Sequence, residues 1–308
     1  MHRRQVTRAE HGSHAEGRMY RNRMEFVKRL AREAGKLTLE GYGQCDQVPK
    51  DGPDGYDIAT EYDIRTEELV KGRILEEFGE PILGEEEGLI GDPREAGQRL
   101  WIVDPIDGTF NYQRGLPLYA VSIAYCEDGL PVCGAVFMPA VDELYFASKG
   151  SGAYVIERGS SVPTRIGVSQ EKETARQVIS LAGTGSPALI ATGARIGIPW
   201  RSMRLFLCAV SSLAHVAAGR IDAFTDTALN LWDCAAGAII LQEAGGPAIT
   251  DYDGTPIFPE YVRRRLQLGE TAKFPCLAAS SPDLAHELLS GMLSAAGYGP
   301  SSPTEQAG

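Results

Sequence analysis

Trp101-Ile102-Val103-Asp104-Pro105-Ile106-Asp107-Gly108-Thr109 joins an apolar run to two carboxylates three residues apart. Trp101 to Val103 have the aromatic and β-branched character of a buried strand, which ends in the two carboxylates. Gly108 and Thr109 then open a turn or short helix. Two carboxylates with a backbone carbonyl between them, on a rigid strand end, are the hard oxygen donors that Mg²⁺ takes. The amides at the start of the following turn point outward and can hold a phosphate. An Asx turn that merely ends a strand has the same local pattern, so the chemical reading depends on companions elsewhere.

Three companions exist. Ile82-Leu83-Gly84-Glu85-Glu86-Glu87 ends a second apolar strand in carboxylates; alone, such a triplet reads as a solvated turn. Trp232-Asp233-Cys234-Ala235-Ala236-Gly237 sets Asp233 at or near the N-cap of a helix that carries Ala235, Ile239 and Leu241. Thr60-Glu61-Tyr62-Asp63 has the capping-box pattern and opens another helix, so Asp63 has a purely structural reading as well.

Working outward, Val27, Leu30, Ala31, Ala34 and Leu37 recur at helical spacing and predict a first helix from about Met24 to Leu39. Residues 1–23, arginine-rich and without an apolar run, read as a disordered basic arm rather than a signal peptide. Gly41 to Asp57 reads as a mobile loop, with a second helix from about Glu61 to Phe78. Close-spaced apolar runs at Ala120–Tyr125, Val132–Met138, Leu144–Ala147 and Ala153–Ile156 predict an antiparallel meander. Beyond about residue 165, strand-like pieces near Val178–Ser180, Ala223–Phe224, Ala248–Ile249 and Leu277–Ala279 alternate with predicted helices over 203–219, 232–244 and 283–295. The expectation is a layered α/β (α+β) fold: a half over 24–165 with most of the acidic motifs, a half over 166–296 with a smaller mixed sheet, and a disordered tail over 297–308.

The bulk properties narrow the function. A net charge of −11 opposes nucleic-acid binding, which needs a basic face. It also requires cations before an anionic substrate can approach. No stretch is long and apolar enough for a bilayer. The six cysteines form no C-x-x-C pair, so a zinc site is not expected and reduced thiols in a cytoplasm are. A D-x-D-x-T aspartyl-nucleophile enzyme is disfavoured, because Asp104 and Asp107 are three apart and Glu85 and Asp233 have no place in that scheme. A regulatory protein that retained the fold would be expected to have lost some of Glu85, Asp104, Asp107, Thr109 and Asp233; none is missing.

Taken together and in this order, the four motifs resemble the inositol monophosphatase family. Asp104-Pro105-Ile106-Asp107-Gly108-Thr109 matches its central motif and Trp232-Asp233-x-Ala235-Ala236-Gly237 its second signature, and the likeness runs from about residue 24 to 295. The resemblance implies an αβαβα sugar-phosphatase fold, a homodimer, lithium sensitivity, and two or three Mg²⁺ ions acting on a small phosphorylated substrate. By position, Glu85, Asp104 and the Ile106 carbonyl would hold one ion. Asp104, Asp107 and Asp233 would hold a second, and a third, weaker ion would lean on Glu85. Glu85 and Thr109, backed by Asp63, would activate water, and the Gly108 and Thr109 amides would hold the phosphate.

Substrate choice is less defined. Asp226 stands where the family's inositol enzymes carry Glu, and Leu207-Cys208-Ala209 stands where they carry Gly-Ser/Thr-Ala facing the sugar. Asp226, Cys208 and Ala209 are therefore candidate substrate contacts, with Lys50 as a guess for the phosphate. Inositol 1-phosphate is the expected substrate; histidinol phosphate, fructose 1,6-bisphosphate and a 3′-phosphonucleotide are the alternatives. The apolar face Leu205, Leu207, Val210, Leu213 and Ala217 reads as core, and His215 as a packing residue.

Overall fold

The computed structural model describes residues 3–49, 58–173, 175–182, 202–269 and 273–295. The first half contains α1 (Arg3–Gly41), β1 (Gln47–Pro49), β2 (Ile58–Thr60), α2 (Glu61–Glu77), β3 (Ile82–Gly84), β4 (Gly88–Ile90), α3 (Pro93–Ala96), β5 (Arg99–Asp107) and α4 (Thr109–Gln113). It continues with β6 (Ala120–Glu127), β7 (Leu130–Met138), β8 (Glu143–Ser148), β9 (Ala153–Ile156) and β10 (Thr164–Arg165). Then follow β11 (Ile179–Ala182), β12 (Met203–Arg204), α5 (Ala209–Ala217), β13 (Ala223–Leu229), α6 (Ala235–Glu243), α7 (Glu260–Arg263) running into a π-helical turn (Arg264–Leu268), β14 (Phe274–Ala279) and α8 (Pro282–Ala295).

The alternation along β5 sets the layers. Leu100 and Ile102 enter one apolar cluster, Trp101 and Val103 another, so both faces of the strand are buried. The Trp101 face packs against Val27, Leu30, Ala31 and Ala34 of α1 and Val70 and Ile74 of α2. The Leu100 face packs against α5 and α6 through Leu213, Ala214, Ile239 and Ile240. Those helices are covered from the far side by Phe224 and Cys276 of the second sheet. The opposite face of that sheet, with Leu181, Ala223 and Leu277, packs on Leu284 and Leu288 of α8. The order helix, sheet, helix, sheet, helix is the expected five-layer fold.

The large sheet runs β10-β9-β8-β7-β6-β5-β3-β4, antiparallel throughout its β5-to-β10 meander, with β3 parallel to β5. The small sheet, β12-β11-β13-β14, is mixed as expected, with β11 parallel to β12 and β13 and β14 antiparallel.

Several boundaries differ from the sequence expectation. The first helix starts at Arg3, not at about Met24, and the stretch read as a free arm is anchored at its end. Arg23 is 7% exposed and makes two bonds to Glu80, at 2.8 and 2.7 Å, while Trp101 Nε1 donates to the same carboxylate at 2.9 Å. Tyr20 donates to Glu127 at 2.7 Å. Arg23→Ala would strip Glu80 of its buried cation and leave it only the exposed Arg99, at 3.8 Å, so a loss of about 3 kcal/mol in chemical denaturation is expected.

The predicted helix over 203–219 shortens to Ala209–Ala217, because Leu207 takes a left-handed φ of 52° and Cys208 is extended. Leu205 and Leu207, read as core, are instead 55% and 51% exposed. His215 does pack, edge-on against Tyr145 and Phe206, and burial pushes its pKa down to about 4. Near Ala248–Ile249 the chain makes only isolated bridges at Thr250. Within the predicted loop over 41–57, β1 pairs with β2. Lys50 and the tail over 297–308 lie outside the described residues.

Candidate metal centre

β3 lies parallel to β5 with Gly84 opposite Val103, which brings the start of the Glu85–Glu87 turn beside Asp104. Between Asp104 and Asp107 the register of β5 against β6 shifts: Asp104 pairs with Ser122 and Asp107 with Ala120. Three steps on one strand oppose two on the other. Pro105, which has no N–H to give the ladder, falls within that bulge. The extra residue re-aims the strand end, so Asp104 and Asp107 converge instead of pointing to opposite faces.

The third carboxylate comes from the far half of the chain. Ser122 Oγ donates to the Trp232 carbonyl at 3.3 Å and ties the loop before α6 to β6. Asp233 does not cap α6, whose N-cap is Cys234; its Oδ2 accepts the Asn230 N–H at 2.6 Å. Asp104, Asp107 and Asp233 each offer an oxygen within 4.8 Å of the others.

These groups strongly oppose each other's ionisation. Asp104 is 1% exposed, and neither of its oxygens has a hydrogen-bond partner among the described residues. Burial, then the charges of Glu85, Asp107 and Asp233, raise its pKa well above the ordinary carboxylate range. Asp233 is raised in the same way, by burial first and then by Asp107 and Glu85. Burial lifts Asp107 to about 7, against the lowering effect of the Cys208 thiol and the Val210 N–H, which donate to its Oδ2 at 3.0 and 2.6 Å. A buried, unbonded, acceptor-only carboxylate among like charges fits a site built for divalent cations.

Thr109 and Asp63 meet at the same place. Thr109 Oγ1 lies 3.3 Å from Asp63 Oδ1 and 3.1 Å from the Ile106 carbonyl, close enough to donate to either. Asp63 Oδ2 accepts from Thr60 N at 2.7 Å and Thr60 Oγ1 at 2.6 Å, so the capping reading holds as well. One oxygen caps α2 and the other faces Thr109. Gly108, at φ 85°, begins α4, and a Cβ there would meet the Leu118 carbonyl at 2.8 Å and Cys208 Cβ at 3.2 Å. No other residue fits this turn without strain.

The remaining candidates are placed as follows. Cys208 is buried, with its thiol turned onto Asp107, so it supports a carboxylate from behind. Ala209 opens α5 next to it. Asp226 is 7% exposed, accepts the Ala228 N–H at 2.9 Å, and is raised in pKa chiefly by burial.

Glu67 was not found by sequence reasoning. It is 2% exposed and accepts the Glu86 and Glu87 N–H groups at 3.0 and 2.8 Å, which clamps the turn that carries Glu85. Gly84 makes room for it, since a Cβ there would fall 2.5 Å from the Glu67 carboxyl. Lys71, one helical turn further along α2, pairs with Glu87. The available signal was spacing: Glu67 follows Asp63 by four residues, so both share one face of α2. Glu67→Gln puts an NH₂ group against one of the two amides. Turnover is expected to fall about 10–100-fold with the fold retained and the Mg²⁺ requirement raised; a metal titration of activity checks this.

Comparisons with known proteins identify the family and the fold. The family model described as "Inositol monophosphatase family" matches residues 19–287. A Thermotoga maritima protein named fructose-1,6-bisphosphatase/inositol-1-monophosphatase is 38% identical over 237 residues, covering 76% of this chain and 86% of its own. A Pseudomonas aeruginosa protein named Nus factor SuhB is 33% identical, covering 82% of this chain and 93% of its own. Among solved structures, a Thermotoga maritima IMPase superposes with a TM-score of 0.75 at 31% identity, covering 90% of this chain and 98% of that one.

Proposed function

The chain belongs to the inositol monophosphatase family and is a phosphoric monoester hydrolase, and from that premise we propose that it is a Mg²⁺-dependent phosphatase acting on inositol 1-phosphate. The observation that carries the metal dependence is Asp104, buried beside Glu85, Asp107 and Asp233 with neither oxygen hydrogen-bonded among the described residues. Glu85, Asp104 and the Ile106 carbonyl would hold one Mg²⁺; Asp104, Asp107 and Asp233 would hold a second; Glu85 would lend itself to a third, weaker one. Bound there, Mg²⁺ neutralises the phosphate dianion, acidifies water and stabilises the departing oxygen.

The chain's own groups do the rest. Thr109 Oγ1, tied to Asp63 and to the Ile106 carbonyl, orients the attacking water, and Glu85 and the Thr109–Asp63 pair receive its proton. The amides of Gly108, the N-cap of α4, and of Thr109, its first residue, hold phosphate oxygens. Asp226 and Ala209 face the leaving alcohol, and Cys208 acts through Asp107. No covalent protein intermediate is required.

The buried free thiols of all six cysteines support a reducing, cytoplasmic setting. No helix among the described residues is long and apolar enough to cross a membrane. We place the protein as a lithium-sensitive homodimer on the strength of the family resemblance. The name of the Thermotoga relative keeps fructose 1,6-bisphosphate as the second substrate to test.

Phosphate release should be measured with and without Mg²⁺ on inositol 1-phosphate, histidinol phosphate, fructose 1,6-bisphosphate and a 3′-phosphonucleotide. The expected result is Mg²⁺-dependent turnover with inositol 1-phosphate the best substrate. Preference for another member of the panel replaces the substrate assignment. Release from none of them, by a folded protein that still binds Mg²⁺, removes this reading.

A further inference from the structure

Three non-glycine residues among those described have a left-handed backbone: Asp128, Asp142 and Leu207. Aspartate visits that region readily and leucine does not. The Leu207 side chain is 51% exposed, so burial does little to offset the strain of its φ of 52°. Other contacts must hold this turn, and they lead to Asn111. We propose that Asn111 is a positioning residue for the metal centre, which holds the left-handed turn at Leu207 and so sets the start of α5 against Asp107. The proposal rests on the Mg²⁺ reading above.

Asn111 lies in α4 and is 5% exposed. Its Nδ2 donates to the Leu118 and Phe206 carbonyls at 2.8 Å each, with the Leu207 carbonyl at 3.4 Å. An amide NH₂ has two hydrogens, and the two short bonds use both. One stays within the first half of the chain; the other reaches a residue 95 positions away. Phe206 and Leu207 lead directly into Cys208, the extended N-cap of α5.

The start of α5 in turn holds Asp107. Cys208 makes no side-chain cap bond to its own helix. The acceptor at this helix end is Asp107 Oδ2, which takes the Val210 N–H at 2.6 Å and the Cys208 thiol at 3.0 Å. Two donors on one oxygen fix the rotation of the carboxylate, and the positive end of α5 offsets its charge. Contact therefore runs from Asn111 through Phe206 and Leu207 to Cys208 and Val210, and from these to Asp107. Gly108 lies in the same junction, since a Cβ there would fall 3.2 Å from Cys208 Cβ and 3.4 Å from the Leu207 carbonyl. A loosened turn at Leu207 would release Asp107 while both sheets stay intact. If Asn111 were only a loop tether, its loss would lower stability and leave the affinity for Mg²⁺ alone.

Mg²⁺ titrated calorimetrically into the full-length protein, freed of metal with EDTA and then dialysed, separates the two roles without reference to activity. Circular dichroism checks the fold of each variant. Asn111→Ala should weaken Mg²⁺ binding about tenfold or more, as is typical for a group behind a metal ligand. Asn111→Ser keeps one donor on a shorter arm; it should lose less and takes the place of the alanine variant if that one does not fold. Leu207→Gly adopts the left-handed φ freely and alone should bind Mg²⁺ much as wild type does. Added to Asn111→Ala it should recover at least about threefold of the lost affinity, because the turn then needs less holding.

Wild-type Mg²⁺ affinity in the folded alanine variant, or in the serine variant where only that one folds, overturns the proposal. So does an equal loss from Asn111→Ala with and without Leu207→Gly. A wild-type protein that binds no Mg²⁺ removes the metal reading and this proposal with it, whereas wild-type binding matched by the variants removes this proposal alone.

Discussion

Asp104→Asn is expected to lower Mg²⁺-dependent phosphate release at least about a thousandfold, beyond the 10–100-fold typical of groups that only support a metal ligand. Asp104 is the carboxylate on which both proposed ion positions converge, and none of its oxygen capacity is spent on hydrogen bonds among the described residues. Asn has nearly the same shape but carries one acceptor oxygen and no charge. The fold should survive. Asp104 is crowded by Glu85, Asp107 and Asp233, so the neutral variant relieves repulsion, and the metal-free variant should melt at or above the metal-free wild type. Circular dichroism melts paired with phosphate-release assays separate the two effects. A folded Asp104→Asn protein with near wild-type turnover would falsify the site.

What the sequence disclosed and what it hid follow from the range of the interactions involved. Asp104, Asp107 and Asp233 could be picked out because each sits at the end of an apolar run, where chain direction alone puts a carboxylate at the rim of a core. Asp63 was ambiguous in sequence and is dual in structure, one oxygen serving the cap and the other Thr109. Glu67 could not be found in the same way, nor could the bond to Asp107 made by Cys208, which the sequence offers as a substrate contact. Their roles depend on partners 19 and 101 residues away, at Glu86 and Asp107. Leu205 and Leu207 matched a helical stripe, but periodicity carries no information about a left-handed φ at Leu207, and that one dihedral releases both side chains to solvent.

The start of α1 and the turn after α7 were missed for a related reason. Arg-rich stretches have little apolar periodicity, so their order comes from tertiary partners. Arg23 is fixed by Glu80 and Trp101, and Arg264 by Glu260, whose pKa is held down to about 2 by Arg263 and Arg264.

Metal removal should make stability strongly pH-dependent. Folding raises Asp107 from 3.8 to about 7 and drives Asp104 and Asp233 in the same direction. Between about pH 4 and 7 the native chain therefore holds more protons than the unfolded chain. The sign follows: stability in EDTA falls as pH rises through that window, the reverse of the usual behaviour of salt-bridged carboxylates. Mg²⁺ replaces the protons, and at about 100 times its Kd it contributes roughly 2.7 kcal/mol. For a chain of 308 residues that is a rise of roughly 4 °C in Tm. The rise should be full at pH 8 and shrink toward pH 5, where protonated carboxylates no longer hold the ion. Thermal melts at pH 5, 6, 7 and 8, each with EDTA and with Mg²⁺, measure both trends. In Asp104→Asn the EDTA curve should flatten and the Mg²⁺ shift should vanish together, since one buried carboxylate underlies both. A Mg²⁺ shift of equal size at pH 5 and pH 8 would mean that the ion binds elsewhere, away from the carboxylates that folding forces together.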